Sequence, residues 1–104
     1  MLKFSPAIAL VLISASAAAS TPAAWARLER QATRKCIEAS ELRRPRVSNP
    51  IVFSDQSGVI ALLVTGIHPQ ARMKGASGTN LCLFDRRTGH VAVEEAKDWS
   101  ASRR

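Results

Sequence analysis

A helical pattern of small and apolar residues dominates the first half of the chain. At 100° per residue, residues 23–42 collect apolar positions on one face and charges on the opposite face. The apolar face carries Trp25, Leu28, Ala32, Cys36 and Ala39, and the charged face carries Arg27, Arg30, Arg34, Glu38 and Glu41. Thr21 and Pro22 suit the N-cap and the first helical position. The pattern predicts one amphipathic helix whose narrow buried face packs closely on a sheet.

The hydrophobic period changes to two after residue 50, which is typical of strands. The arginine-rich stretch 43–50 contains two prolines, which favour extended backbone before them, and predicts a basic linker. Residues 51–54 predict a short strand, 55–58 a turn and 59–67 a longer strand. The apolar residues of the long strand do not alternate strictly, so we expect it to be central and covered on parts of both faces. A second copy, a folded loop or a bound partner would supply the cover.

The remaining pattern predicts a long connection and two further strands. Residues 68–79 contain one proline and two glycines and predict a loop that is too long for a simple hairpin. Residues 80–84 and 90–95 predict strands, and residues 85–89 predict a tight turn with Gly89 in the left-handed conformation. One helix followed by consecutive strands predicts an α+β domain of two layers, in which the helix packs on a small antiparallel sheet of three to four strands.

The beginning of the chain has the composition of a secretory signal. Lys3 gives a positive start, residues 6–13 form an apolar core, and residues 14–20 are small and offer small-x-small cleavage sites. The apolar core is shorter than the ~18 to 20 residues that a membrane span requires. We therefore expect residues 1–19 to be a signal peptide cleaved near residues 17–20. Cleavage would leave no membrane span and a periplasmic or secreted protein.

The length and charge of the chain limit the size of the mature domain. The chain has 104 residues, with 15 Lys and Arg against 8 Asp and Glu, and a net charge of +7. We expect a single α+β domain over residues 20–97 and a flexible basic tail over residues 98–104. A chain this short buries only about 60% of its unfolded surface, so a covalent staple is expected.

Cys36 and Cys82 are the two cysteines of the chain. In an exported protein they predict one disulfide, which would close a loop of about 45 residues and stabilise the fold by roughly 4 kcal/mol. The alternative is a free, reactive cysteine. His68 and His90 lack the short paired spacing of zinc ligands, so no metal site is expected.

The chain shows no arrangement typical of an active site. Glu94 and Glu95 are adjacent on a predicted strand and point to opposite faces, which does not suit paired acid–base chemistry. Residues 74–78 are rich in small residues, but they lack the order and the following helix of a phosphate-binding loop. We expect no catalytic residue and no cofactor.

The basic charge gives the clearest indication of a partner. The cations of the predicted linker and turns are Arg43, Arg44, Arg46, Arg72, Lys74, Arg86 and Arg87. We expect partner contacts from Arg72, Met73 and Lys74 in the long loop, and from Arg86 and Arg87 in the tight turn. Such positive patches attract anions over a long range, so the expected partner is an anionic surface or an acidic protein. Nucleic acid is not expected after export, and the alternative is that the charge serves solubility alone.

A resemblance rests on four short stretches of the chain. They are Phe53-Ser54-Asp55, Ala61-Leu62-Leu63-Val64, Met73-Lys74-Gly75 and Leu81-Cys82-Leu83-Phe84-Asp85-Arg86-Arg87-Thr88-Gly89. With them the chain resembles small exported proteins of Gram-negative bacteria that carry no assigned activity, which implies a periplasmic or secreted location. The helix and the Asp-x-x-Thr-Gly hairpin are similar to PepSY-type and cystatin-like layouts, some of which inhibit peptidases.

These features lead to three hypotheses for the function. The first is an exported, non-enzymatic binding or interaction module that uses residues 68–79 and the turn arginines. The second is an inhibitor of an extracytoplasmic hydrolase, of the protease or lysozyme type, that inserts the same loop. The third is a small thiol-dependent enzyme that uses Cys36 or Cys82. A homodimer is compatible with each of them.

Overall fold

The computed structural model describes residues 21–100, so the expected signal peptide and the last four residues lie outside the described part. Helix α1 spans Pro22–Ser40. The Thr21 side chain accepts a hydrogen bond from the backbone N–H of Ala24 at 3.1 Å, and Pro22 stands at the first position, as the sequence predicts. Glu41 ends the helix with a left-handed backbone, φ 55°. The helix therefore stops two residues before the predicted end.

The buried face of α1 is a stripe with a spacing of four residues. Ala32, Cys36 and Ser40 are buried, and Leu28 is partly buried against the core. Ala39, predicted to lie on this face, is exposed instead. The four-residue spacing drifts slowly around the helix, so at the C-terminal end it is Ser40 that meets the sheet. The small side chains allow the helix to approach the sheet closely.

Five antiparallel strands form one sheet beneath the helix. They are β1 Arg43–Val47, β2 Ile51–Val52, β3 Val59–Ile67, β4 Ser77–Asp85 and β5 Val91–Glu95. The order across the sheet is β1-β3-β4-β5, and β2 pairs with the first part of β3 on the same side as β1. The fold is α+β in two layers, as predicted, with a slightly higher strand count.

The additional strand comes from the stretch predicted to be a linker. Arg43 pairs with Ile67 and Arg46 pairs with Thr65, so β1 carries one extra residue, which is a β-bulge. Pro45 lies in this bulge at the edge of the sheet, where a missing N–H is tolerated. Every β1 residue is exposed, and therefore the strand leaves no hydrophobic period in the sequence.

Strand β4 begins at Ser77, three residues before the predicted start. Gly66 pairs with Gly78, and Thr65 pairs with Thr79 through a contact between the two hydroxyl oxygens at 3.2 Å. The connection between β3 and β4 is therefore shorter than predicted and contains one turn of 3₁₀ helix, Ala71–Met73. The start of β4 could not be predicted from composition, because glycine, serine and threonine are also typical of turns.

The core lies between α1 and the face of β3 and β4 that carries Cys82. The predicted disulfide joins Cys36 to Cys82, with 5.8 Å between the two Cα atoms, and both residues are fully buried. The largest fully buried side chains beside it are Phe84, Ile60, Leu62 and Val64. The bond ties the middle of the helix to the middle of the sheet. No helix within residues 21–100 is long and apolar enough to cross a membrane.

Candidate functional site

The residues predicted to contact a partner separate into two groups at opposite ends of the sheet. Arg72, Met73 and Lys74 lie in the connection from β3 to β4, whereas Arg86 and Arg87 lie in the turn from β4 to β5. Strand β4 has nine residues, so its two ends are about 27 Å apart. The two groups therefore do not form one continuous surface.

Arg86 is held inside the molecule. Its Nη2 donates to the carbonyl oxygens of Phe53 and Ser54 and to Asp55 Oδ1, each at 3.3 Å. The guanidinium lies 5.2 Å from the centre of the Trp25 ring, a cation–π distance. Only 12% of the side chain is exposed. Arg86 therefore connects the start of the helix, the turn after β2 and the end of β4.

Arg87 has a similar internal role at the same turn. Its Nη2 donates to the carbonyl oxygens of Gln56 and Ser57 at 3.0 and 3.1 Å. Gly58, at φ +67°, lies so close to this guanidinium that a Cβ would stand 2.8 Å from the Arg87 Nε. Together the Nη2 atoms of the two arginines bind four carbonyl groups within residues 53–57. The Nε of Arg86 is buried and has no hydrogen-bond partner among the described residues.

Asp85 fixes the backbone of the turn that carries both arginines. Its Oδ1 accepts hydrogen bonds from the backbone N–H groups of Arg87 at 2.8 Å and Thr88 at 3.3 Å. These bonds, Arg87 first, lower the pKa of Asp85 below its ordinary value, and the positive charges of Arg87 and His90 add to the effect. Gly89 completes the turn with φ +74°, as its position in the sequence predicts.

A second set of cations joins the loop residues at the other end of the sheet. Arg43, at the start of β1, pairs with Ile67, the last residue of β3. Arg43 and Arg44 line a shallow cavity of about 500 Å³ together with Ile67 and Gly75, the residue after Lys74. The fold thus brings the start of β1 next to the 3₁₀ turn. We call this surface the basic end and define it by Arg43, Arg44, Arg72 and Lys74.

The backbone of the basic end contains a strained residue. Arg44 has φ 49°, in the left-handed region, although it is not glycine and precedes Pro45. Gly66 lies beneath the bulge, and a Cβ there would stand 2.7 Å from the carbonyl oxygen of Arg43. The bulge can therefore form only over a residue without a side chain. Strained residues of this kind are concentrated at functional sites.

The cations of the basic end have no carboxylate partner within residues 21–100. The one ion pair of that part of the chain joins Arg86 to Asp55 at 3.3 Å, at the other end of the sheet. Arg43, Arg44, Arg72 and Lys74 are all exposed. Met73 lies between the two loop cations in the sequence and is 36% exposed. The basic end is therefore an uncompensated positive surface with one apolar side chain.

The cysteines and the histidines are the residues to consider for thiol chemistry and metal binding. Both cysteines are in the buried disulfide, so a thiol-dependent reaction would first require its reduction. Residues 21–100 contain no group of three His, Cys, Asp or Glu side chains that could hold a metal ion. The His68 ring packs against Gly78 at the start of β4.

Arg43 and Arg44 are the residues of the basic end that the sequence did not assign to the site. Their charge is visible in the sequence, but their position beside Gly75, at the end of the 3₁₀ turn, depends on the pairing of β1 with β3. Gly66 is the only trace of that pairing, because a glycine within a strand often marks a close approach of another backbone.

Comparison with protein-family models, curated proteins and solved structures gives no match for this chain. The resemblance to small exported proteins of Gram-negative bacteria, and to PepSY-type and cystatin-like layouts, stays a prediction.

Proposed function

We propose that this protein is an exported, non-enzymatic binding module that attaches to an anionic surface through the basic end. The observation that carries the proposal is the cavity that Arg43 and Arg44 share with Gly75, the residue after Lys74, where these cations have no carboxylate partner among residues 21–100. Two segments that are distant in the sequence supply these charges. The strained conformation of Arg44 gives independent support, because solubility alone does not require it.

The chemistry of the basic end suits a surface of phosphate headgroups. Each Lys or Arg near an anionic lipid surface contributes about 1 kcal/mol, so four cations would contribute about 4 kcal/mol. The attraction would weaken with salt, since exposed charges are screened over about 10 Å at 0.1 M. Met73, between the loop cations, would add a small apolar contact below the headgroups. We therefore take an anionic lipid surface as the first ligand to test.

The buried disulfide supports the expected location. Such bonds persist in oxidising compartments outside the cytoplasm, and this one connects the helix to the sheet in a small domain. We expect the protein recovered from its native compartment to have lost residues up to about position 19. It should take up a thiol-alkylating reagent only after reduction. Intact mass measurement tests both points, and a full-length mass with two free thiols would contradict the proposed export.

Co-sedimentation with lipid vesicles tests the binding. We expect the protein to bind vesicles that contain phosphatidylglycerol, and to remain in solution with vesicles of phosphatidylcholine alone. Raising the salt from about 50 to 300 mM should release most of the bound protein, because the contact is electrostatic. Equal binding to both vesicle types, or no binding to either, would contradict the proposal.

The hypothesis of a hydrolase inhibitor uses part of the same surface. All residues from Pro69 to Ser77 are exposed, which is also what an inhibitory insert requires. Assays against secreted proteases and lysozymes would test this alternative. Inhibition that is abolished by R72A/K74A, in a protein that binds no anionic vesicle, would replace the first proposal with the second.

A further inference from the structure

The sheet face that lies away from the helix carries a continuous group of apolar side chains. Their positions follow from the register, because Cys82 and its neighbours on the other face point to the helix. The members of this group, which we call the open face, are Ile51, Phe53, Ala61, Leu63, Leu81, Leu83, Ala92 and Trp99. Ile51 is 64% exposed, Phe53 47% and Leu83 37%. A contiguous apolar area of this kind marks an interaction surface.

The open face has a raised part and a groove beside it. The chain leaves β5, where the N–H of Ala96 donates to the carbonyl oxygen of Thr79 at 2.8 Å, and brings Trp99 over the sheet. Between Trp99 and Ile51 lies a groove of about 340 Å³, and its floor includes Leu63 and Leu81. Trp99 is 59% exposed. The exposed Trp99 indole thus stands beside an apolar groove on the same face of the sheet.

The two edges of the open face carry opposite charges. Arg46 on β1 pairs with Thr65, and Glu94 on β5 pairs with Leu81, so both side chains stand on the open face. Thr65 and Leu63, the β3 residue opposite Leu81, are two positions apart on one strand. The positions of the two charged residues are therefore offset by about 7 Å along the strand direction. They lie on the first and the last strand of the order β1-β3-β4-β5.

We propose that the open face is the interface of a two-fold symmetric dimer of this chain. A two-fold axis parallel to the strands, placed above the junction of β3 and β4, superposes β1 of one copy on β5 of the other. It brings Arg46 of each copy to Glu94 of its mate, and it places each Trp99 over the groove beside Ile51 of its mate. Sheets that pack face to face are about 10 Å apart, within reach of these side chains.

The charges select this axis over the other face-to-face arrangement. A two-fold axis perpendicular to the strands would superpose β1 on β1 and β5 on β5, so Arg46 would lie over the basic edge strand of its mate and Glu94 over the acidic one. A like-charge contact at an interface is unfavourable, whereas the parallel axis gives two opposite-charge pairs. The surface is therefore complementary in charge to a second copy of itself.

The dimer does not depend on the proposed binding to anionic surfaces. Arg46 and Glu94 are not part of the basic end. Arg43 of the basic end stands on the same side of the sheet as Arg46, because it pairs with Ile67, but it lies at the end of β3 away from the apolar group. Sedimentation equilibrium and vesicle binding therefore give separate results, and either proposal can fail while the other holds.

Sedimentation equilibrium of the intact, disulfide-bonded chain tests the dimer. We expect the mass to rise from one copy towards two copies over a protein concentration range of about 1 to 100 μM. L83D places a charge in the interface and should weaken the dimer more than about tenfold. The matched control is M73D, which places the same charge at an exposed apolar residue outside the open face and should leave the dissociation constant unchanged.

Charge reversal tests the axis itself. R46E and E94R should each raise the dissociation constant about tenfold, because each creates two like-charge contacts, and the double variant R46E/E94R should restore it. A wild-type chain that is monomeric at about 100 μM would overturn the dimer. A dimer that ignores L83D, or that the double charge reversal fails to restore, would overturn the proposed interface. Circular dichroism checks that each variant is folded.

Discussion

The Arg86 side chain is the most highly connected charged group among residues 21–100. It contacts three oxygen atoms of the turn after β2 and the Trp25 ring of the helix. Asp55 is 97% exposed, so the ion pair itself contributes little. The larger contribution comes from the buried guanidinium, which satisfies carbonyl groups and covers the indole ring.

Replacement of Arg86 should therefore destabilise the fold. We expect Arg86→Ala to lower the free energy of unfolding by about 2 kcal/mol, because it removes the contacts of the guanidinium with the Phe53 and Ser54 carbonyl oxygens and uncovers Trp25. Arg27→Ala, on the exposed side of the helix, is the control and should change stability by less than about 0.5 kcal/mol. Urea denaturation measures both. Equal stability of the two variants would show that Arg86 has no structural role.

The Asp85 carboxylate gives the turn a dependence on pH. Its native pKa lies below the unfolded value because the N–H groups of Arg87 and Thr88 bind the charged form. A lowered pKa stabilises the fold above the unfolded pKa of about 3.9, and this contribution is lost as the pH falls through the native pKa. We expect Asp85→Asn to melt below the wild type at about pH 6, and the difference to shrink near pH 2.5. A difference in melting temperature that is the same at both pH values would contradict this account.

The helix and the long strands have periodic patterns that the sequence displays directly. The stripe that contains Ala32 and Cys36 predicts α1, and the apolar run of β3 predicts a central strand. The edge strand β1 could not be predicted in this way, since all of its residues are exposed and its proline lies in a bulge. The tertiary pairing with β3 determines its conformation.

The contrast between local pattern and strand pairing also explains how much of the site could be predicted. The loop cations Arg72 and Lys74 are recognisable because they lie in a polar connection, and the structure leaves them exposed. The sequence assigned Arg86 and Arg87 to the same surface because it gives no distance between the two turns. Only the sheet topology shows that β4 separates them and that Arg43 and Arg44 stand beside Gly75, the residue after Lys74.

The pairing of β1 with β3 depends on Gly66. A Cβ at this position would stand 2.7 Å from the Arg43 carbonyl oxygen and 2.8 Å from the Leu42 Cβ, so β1 would have to move away. We expect Gly66→Ala to destabilise the fold by about 2 kcal/mol and to remove the hydrogen-exchange protection of the β1 amides. The control is Gly75→Ala, where a Cβ meets nothing within 4 Å. Gly75 has φ +73°, so that variant should cost about 1 kcal/mol through backbone strain and leave β1 protected. Unchanged protection of β1 in Gly66→Ala would contradict the role of the glycine.

The cations at the two ends of the sheet have different surroundings. At one end of the sheet, Arg86 and Arg87 bind carbonyl groups of the fold and lie beside Asp55 and Asp85. At the other end, the cations of the basic end project into solvent without a carboxylate partner among residues 21–100. The basic end is therefore the part of the sheet from which an anionic partner meets positive charge without nearby compensation.

The most direct test of the basic end compares two variants that lose the same charge. R72A/K74A removes two cations from the basic end, and R27A/R34A removes two exposed cations from the helix. With vesicles that contain phosphatidylglycerol, we expect R72A/K74A to lower the affinity about thirtyfold, at roughly 1 kcal/mol per cation. We expect R27A/R34A to lower it less than about threefold, and both variants to keep the wild-type melting temperature. An equal loss of affinity in the two variants would show that net charge alone drives binding, and would contradict the assignment of the basic end.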